Sequence, residues 1–345
     1  MLLLTINSIS HLLVDAVCAA TLFGPLGEAA SLPLFILLYS TLAFSTQCIV
    51  GLIADRLRRH GLAAAVSMHF VAAGCLLPLP PLVRVVMIGL GNSVFHVAGG
   101  AMTLEASGSK AGPLGVFVAP GAIGLTLGTL FPSYGSVFAV ALMPLALMSA
   151  LTAQKAGRHA KAIEMPSAAA DKKSRLLPAL LLTFAVAVRA IGGSAAAFPW
   201  KTGALEALLL TLFVFLGKTA GGLLLDRMGA RLVSLLSVPL AAVLTASFSG
   251  YMLPSLAGQL ALNLTMPVTL YLICRALPDQ PGFAFGLAAA ALWPGTVAGR
   301  MIHLTGAAAG ALIFISFLFG LAAILCSEYL LGRSGHISII NKETK

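Results

Sequence analysis

Charge is what this sequence has least of. Asp, Glu, Lys and Arg together fill 9% of its 345 positions, where a soluble domain carries about a quarter. So few charges cannot cover a water-facing surface, and the surroundings of most side chains must be lipid or other helices. Cysteine is sparse too. Cys18, Cys48, Cys75, Cys274 and Cys326 all fall inside apolar stretches, which argues against a disulfide framework or a cysteine-based zinc site. No HExxH, GxSxG or CxxC occurs, so no metalloprotease, hydrolase or redox centre is signalled. Gly217-Lys218-Thr219 imitates the end of a phosphate-binding loop, but Leu212 stands where the leading glycine belongs. The expectation is a non-enzyme with no cofactor and no metal site. The opening MLLLTINSIS has no basic n-region, and it reads as a first membrane span, not a cleaved leader.

What fills the chain instead is apolar length. Hydrophobic residues make up 59% of it and the mean hydropathy is +0.99. The runs are apolar all round and longer than the ~10-residue alternating strands of a membrane barrel, so they are helical. Candidate spans are 2–26, 31–54, 62–79, 82–104, 113–131 and 134–152, then 176–200, 204–225, 231–250, 254–274, 282–301 and 307–331. The expected fold is all-α and integral to the membrane, with twelve transmembrane helices in two six-helix bundles around a central cavity. Residues 1–152 form the first bundle, 153–175 a basic cytoplasmic linker, 176–331 the second bundle and 332–345 a cytoplasmic tail.

The net charge of +10 does not signal a nucleic-acid partner, because the basic residues cluster between hydrophobic runs. Sixteen lie on one side, among them Arg56, Arg58, Arg59, the linker cations and Arg227. Only Arg84, Lys201 and Arg300 lie on the other. The excess of Lys and Arg places both termini and the linker in the cytoplasm of a plasma or inner membrane.

A repeat is visible. Gly51-Leu-Ile-Ala-Asp55-Arg56-Leu-Arg58-Arg59-His60 follows the second span, and Gly222-Leu-Leu-Leu-Asp226-Arg227-Met-Gly229-Ala-Arg231 follows the eighth, 171 residues later. Both resemble the loop signature of the major facilitator superfamily, G-x-x-x-D-R/K-x-G-x-R/K-R/K, with Arg58 where the first copy should have glycine. The resemblance implies a conformational latch of Gly51, Asp55, Arg56, Arg59, Gly222, Asp226, Arg227 and Arg231. In it, each aspartate faces a helix N-terminus while the arginines bind carbonyls or lipid phosphates. A plain positive-inside loop is the bland reading of one copy, and two copies in register argue against it.

A narrower resemblance lies in the first half. Ser10-His11-Leu-Leu-Val-Asp15, Gly91-Asn-Ser-Val-Phe95-His96 and Ala106-Ser107-Gly108 look like the fosmidomycin-resistance-type branch, as does Arg189 followed by Phe198-Pro199. That branch commonly reads F-H-P-E and then an Arg. Here Val97, Ala98 and Ala101 stand instead, and the Glu and Arg are missing.

Charges in mid-membrane are expensive unless paired or hydrated, so each marks a functional candidate. His11 and Asp15 share one face of span 1 at i, i+4 and are the expected proton-coupling pair. Arg189 lies in span 7, one turn from the position equivalent to Asp15, and is expected to pair with Asp15 when the carrier is empty. His96, Asn92, Asn263 and Lys218 are further candidates for lining the cavity. A packing histidine competes for His96, and snorkelling to the interface competes for Lys218. Glu105, Arg84, Glu206, Arg300 and His303 sit at span ends and are expected to face water. In span 5, Gly115 to Gly128 partly matches an antiporter pattern.

The expected function is proton-coupled export of a small organic molecule by a monomeric carrier. One alternative is an importer or uniporter of a small organic anion. The other is a membrane receptor or scaffold that no longer transports.

Overall fold

A computed structural model of the chain describes residues 1–108, 110–159 and 172–343. They form long helices joined by short turns. The first half holds α1 (Leu2–Phe23), α2 (Leu32–Leu57), α3 (His60–Leu76), α4 (Pro81–Ser107), α5 (Gly112–Leu130) and α6 (Gly135–His159). The second half opens with α7 (Lys172–Ala195), then α8 (204–228) and α9 (230–248), which meet at Gly229. It closes with α10 (Met252–Ala276), α11 (Pro281–Met301) and α12 (Gly306–Glu343).

Proline marks several starts. Pro81, Pro113 and Pro281 each stand in a first turn, where a missing N–H costs no helical hydrogen bond.

Among the described residues, ten segments are long and apolar enough to cross a membrane. One of them, Ala204–Phe248, runs for 45 residues and breaks at Gly229, φ 79°. As a straight helix it would reach about 68 Å, more than twice the ~30 Å hydrocarbon layer. A further apolar helix, α3, is 17 residues long. The outer surface is apolar, with Leu34, Leu147 and Leu180 more than half exposed, as lipid-facing positions require.

α1 packs on α4, α5 and α6, and α3 packs on α4 and α6, to make the first bundle. In the second, α7 packs on α11 and α12, and α8 and α9 pack on α10 and α12. The bundles touch through α2 with α11 and α5 with α8, and α4 also meets α11. The first helices of the two halves, α1 and α7, are not packed together.

Of the expected linker, α6 reaches into 153–159 and α7 begins at Lys172; residues 160–171 lie outside the described residues. The helix α12 continues past the expected end of the last span at residue 331.

Candidate functional site

The interior cluster begins on α1. One helical turn separates His11 from Asp15, and His11 Nε2 lies 3.3 Å from Asp15 Oδ2. From α4, His96 Nε2 comes within 3.8 Å of Asp15 Oδ1, and Asn92 Nδ2 donates to that same oxygen at 2.8 Å. The two imidazoles meet edge to face with centroids 4.4 Å apart.

Each imidazole is anchored through its other nitrogen. His11 Nδ1 lies 2.7 Å from the Phe117 carbonyl, and His96 Nδ1 lies 2.9 Å from the Asn92 carbonyl. A carbonyl only accepts, so both Nδ1 atoms carry hydrogen. In neutral imidazoles both Nε2 lone pairs then point at the carboxylate. Three acceptors converge with no donor among them, and a bound proton or metal cation is one way to relieve the repulsion.

Room for the cluster comes from α5. A Cβ on Gly121 would overlap His11 Nε2 and stand 2.5 Å from Asp15 Oδ2. The side chains of Asp15 and His96 keep 16% and 12% of their exposure while His11 keeps 5%, so the cluster borders accessible space on one side. On another it meets an aromatic layer. Phe117 lies 5.0 Å from His11 and 6.0 Å from Phe285 of the opposite bundle. Two glycines of α4 make room for this layer. Gly99 abuts the Phe117 ring and Gly100 abuts the Phe285 ring.

The second half contributes cations. Lys218 of α8 lies within electrostatic range of both Asp15 and Arg189, so its charge belongs to this interior region. It forms no ion pair among the described residues. Arg189 does not pair with Asp15 as expected; its guanidinium donates to Thr265 Oγ1 on α10. The correction has a simple cause, since Asn92 and the two histidines already surround the carboxylate. Asn263 Nδ2 donates to the Gln259 carbonyl on its own helix, where the residue packs against Gly217, apart from the cluster.

The repeated motifs come together at one end of the molecule. Asp55 Oδ1 and Oδ2 accept from the amides of Gly282 and Phe283, each at 2.8 Å. Asp226 Oδ1 and Oδ2 accept from the amides of Ala111 and Gly112, at 2.7 and 2.8 Å. Each carboxylate thus caps the N-terminus of a helix in the other bundle, where free N–H groups and the helix dipole favour a negative charge. The two amide pairs are themselves 171 residues apart, like the aspartates.

Gly51 and Gly222 let the backbones meet. A Cβ on Gly222 would stand 2.7 Å from the Ala111 carbonyl, and one on Gly51 would overlap the Gly282 carbonyl. Arg56, Arg59, Arg227 and Arg231 are exposed, and no carbonyl contact is made by them among the described residues. The aspartates, not the arginines, join the bundles.

Two residues that sequence reasoning passed over complete this end. His60 Nδ1 lies 3.1 Å from Glu105 Oε1, and its Nε2 faces Asp55 Oδ1 at 3.6 Å. His60 is the first residue of α3, two positions ahead of the third span expected at 62–79. Burial lowers its pKa, but Asp55 and Glu105 outweigh burial and raise it to about 9. Glu105, expected merely to face water, is half exposed yet reaches this histidine. A cleft of about 330 Å³ between the bundles is lined here by Arg58, His60, Glu105 and Asp279.

No family model and no curated protein matches the chain. Among solved structures it resembles two of a fucose:proton symporter. One, a single-residue variant of the Escherichia coli protein, superposes with a TM-score of 0.66 over 94% of this chain and 97% of that one, at 11% identity. The other, a major facilitator superfamily transporter in the outward conformation, gives 0.58 over 94% and 97%, at 12% identity. The fold is therefore that of the major facilitator superfamily: all-α, multi-pass, in two helical bundles. It does not single out the fosmidomycin-resistance-type branch.

The expected export meets its correction here: the solved structures that the chain resembles are of a fucose:proton symporter, not of an exporter. The antiporter-like glycines of α5 have a plainer use. A Cβ on Gly124 would overlap the Leu12 carbonyl, one on Gly128 the Ala16 carbonyl, and one on Gly115 would stand 2.6 Å from the Lys218 carbonyl. They are close-packing positions, and packing carries no direction.

Proposed function

We propose that this chain is a proton-coupled importer of a small organic anion, working by alternating access. The observation that carries the reading is the convergence of His11 Nε2, His96 Nε2 and the Asp15 carboxylate around a place that calls for a cation. A proton bound there converts one histidine to an imidazolium that donates to Asp15, and losing it restores the three opposed lone pairs. Such a site binds and releases one proton with a change in local geometry, as a coupled carrier requires.

Lys218 and Arg189 supply the case for an anion. Two cations in the second bundle lack a carboxylate partner among the described residues, and buried unpaired charge is costly. An anionic solute offsets that cost while bound. Fucose, which the structural neighbour carries, is uncharged, so a different solute class is expected here.

Splitting Ala204–Phe248 at Gly229 and adding α3 brings the ten apolar segments to twelve crossings. The excess of Lys and Arg on the side of the Asp55 and Asp226 loops assigns that end to the cytoplasm. The latch then closes the cytoplasmic end, which corresponds to an outward-facing carrier. In this assignment Asp15 and His11 carry the proton, and Lys218 and Arg189 hold the solute.

The test is direct. Proteoliposomes loaded with a pH-sensitive dye are offered a panel of small organic anions. Inward proton movement is expected on addition of the right solute, and Asp15→Asn is expected to abolish it. Solute entry with no proton movement in the wild type would replace the reading by a uniporter. Entry of no panel member, with no shift in melting temperature, would favour a receptor.

A further inference from the structure

We propose that His11, Asp15 and His96 form a binding site for one divalent first-row transition metal ion of the Zn²⁺ or Co²⁺ type. The proposal concerns the side chains read above as the proton carrier, and the metal and the proton compete for the same place.

The three ligand atoms all lie within 4.8 Å of one another. A tetrahedral ion with bonds of about 2.1 Å holds its ligands about 3.4 Å apart, and His11 Nε2 stands 3.3 Å from Asp15 Oδ2. His96 Nε2, 3.8 Å from Asp15 Oδ1, lies with the other two ligand atoms inside the same 4.8 Å span.

Ligand atoms near one another are common, but here the supporting contacts are built as well. Each imidazole that would ligate through Nε2 donates its Nδ1–H to a backbone carbonyl, of Phe117 for His11 and of Asn92 for His96. That contact fixes the tautomer and orients the ring, as it does around protein metal sites generally. Asn92 Nδ2 occupies Asp15 Oδ1 and leaves Oδ2 toward the ion. Two neutral imidazoles and one carboxylate suit Zn²⁺, Co²⁺ or Ni²⁺; the all-oxygen preference of Mg²⁺ and Ca²⁺ does not fit them.

Three protein ligands leave a tetrahedral position open. Asp15 and His96 are the members that keep some exposure, while Gly121, with no side chain, leaves the space beside His11 Nε2 and Asp15 Oδ2 unfilled. Lys218, in electrostatic range of Asp15, opposes the ion. An anion at the open position would offset it, which is the solute chemistry already proposed.

The experiment uses the full chain in lipid nanodiscs, stripped with a chelator and titrated with Co²⁺. One ion per chain is expected, seen by the visible d–d absorption of a low-coordinate site, displaced by Zn²⁺ and unaffected by excess Mg²⁺. Where the site is protonated, affinity should rise about tenfold per pH unit as the ion displaces one proton. Asp15→Asn and His96→Gln should each weaken binding at least tenfold, and His69→Gln, on α3 outside the cluster, should leave it unchanged. Thermal unfolding of each variant separates lost ligation from lost fold. Absence of the absorption in the wild type, or its persistence in Asp15→Asn, would overturn the proposal. Proton-driven uptake without metal binding would overturn the metal site alone and leave the carrier standing.

Discussion

Gly121 shows how much a single methyl decides in the interior cluster. Its missing side chain is the space that His11 and Asp15 occupy, and a Cβ would overlap one and crowd the other. Gly121→Ala is therefore expected to separate the pair and cut proton-coupled uptake by tenfold or more. Gly193→Ala, with only a Leu262 methyl 3.6 Å away, is the control that should transport normally; equal activity in both variants would remove Gly121 from the site. Arg58 makes the opposite case. It adopts φ 51°, ψ 31°, a left-handed conformation that costs a non-glycine residue about 1 kcal/mol or more. Its repeat equivalent, Gly229, takes φ 79° without a side-chain penalty. Arg58→Gly should raise the melting temperature in detergent, and a lowered one would mean that the Arg58 side chain does more than hold a turn. At this scale the pairing of His11 with Asp15 was readable, because helical spacing alone brings i and i+4 together. Joining His96 and Asn92 to them needed the packing of α1 on α4, which no single-helix pattern contains. The expected Arg189–Asp15 pair failed for a related reason. A repeat offset locates a residue along its helix but does not say which neighbours have already satisfied its partner.

Between elements, the two latch contacts are helix caps made across an interface. Replacing either aspartate by asparagine removes the charge and leaves one acceptor oxygen, a loss of about 1–2 kcal/mol by analogy with other caps. Asp55→Asn and Asp226→Asn should each shift the molecule toward opening at this end by roughly five- to thirtyfold. The labelling rate of an engineered cysteine beneath the latch would measure it, and a shift in only one variant would mean that the two copies are not equivalent. His60 makes the Asp55 copy sensitive to pH. Its pKa is raised from 6.5 to about 9, so its charge stabilises the closed arrangement fully below about pH 6.5. That contribution fades as pH rises through about 9. Labelling beneath the latch should therefore increase between pH 7 and 10 in the wild type and less steeply in His60→Gln. The motif and its duplication were visible in sequence, down to which aspartates matter. The arginines of the motif are exposed and make no carbonyl contact among the described residues, which leaves lipid phosphate, of the two partners that the sequence reading offered. His60 stands in the first copy at the position of Arg231, where the motif calls for Lys or Arg, and its approach to Glu105 was missed because it depends on the packing of α3 on α4.

For the whole molecule, the repeat governs how the bundles close. The same 171-residue offset that relates Asp55 to Asp226 relates Gly51 to Gly222, Gln47 to Lys218 and Gly115 to Gly286. Gly286 lies against the Gln47 carbonyl, and Gly115 lies against the Lys218 carbonyl. Closing one seam therefore uses the backbone contacts that close the other. A rigid-body rotation about an axis between the bundles engages both at once, so the two seams open and close together. A methyl added at either glycine meets a backbone oxygen, which cannot swing aside as a side chain would. Gly286→Ala is thus expected to hold the α2–α11 seam apart, and Gly115→Ala the α5–α8 seam. Spin labels across each seam would report the separation. If the bundles move as bodies, either single variant should widen both seams, including the one whose glycine is intact. Widening confined to the substituted seam would mean that α2 and α11 bend independently of α5 and α8. The proposed alternating access by rocking would then be the wrong description of this molecule.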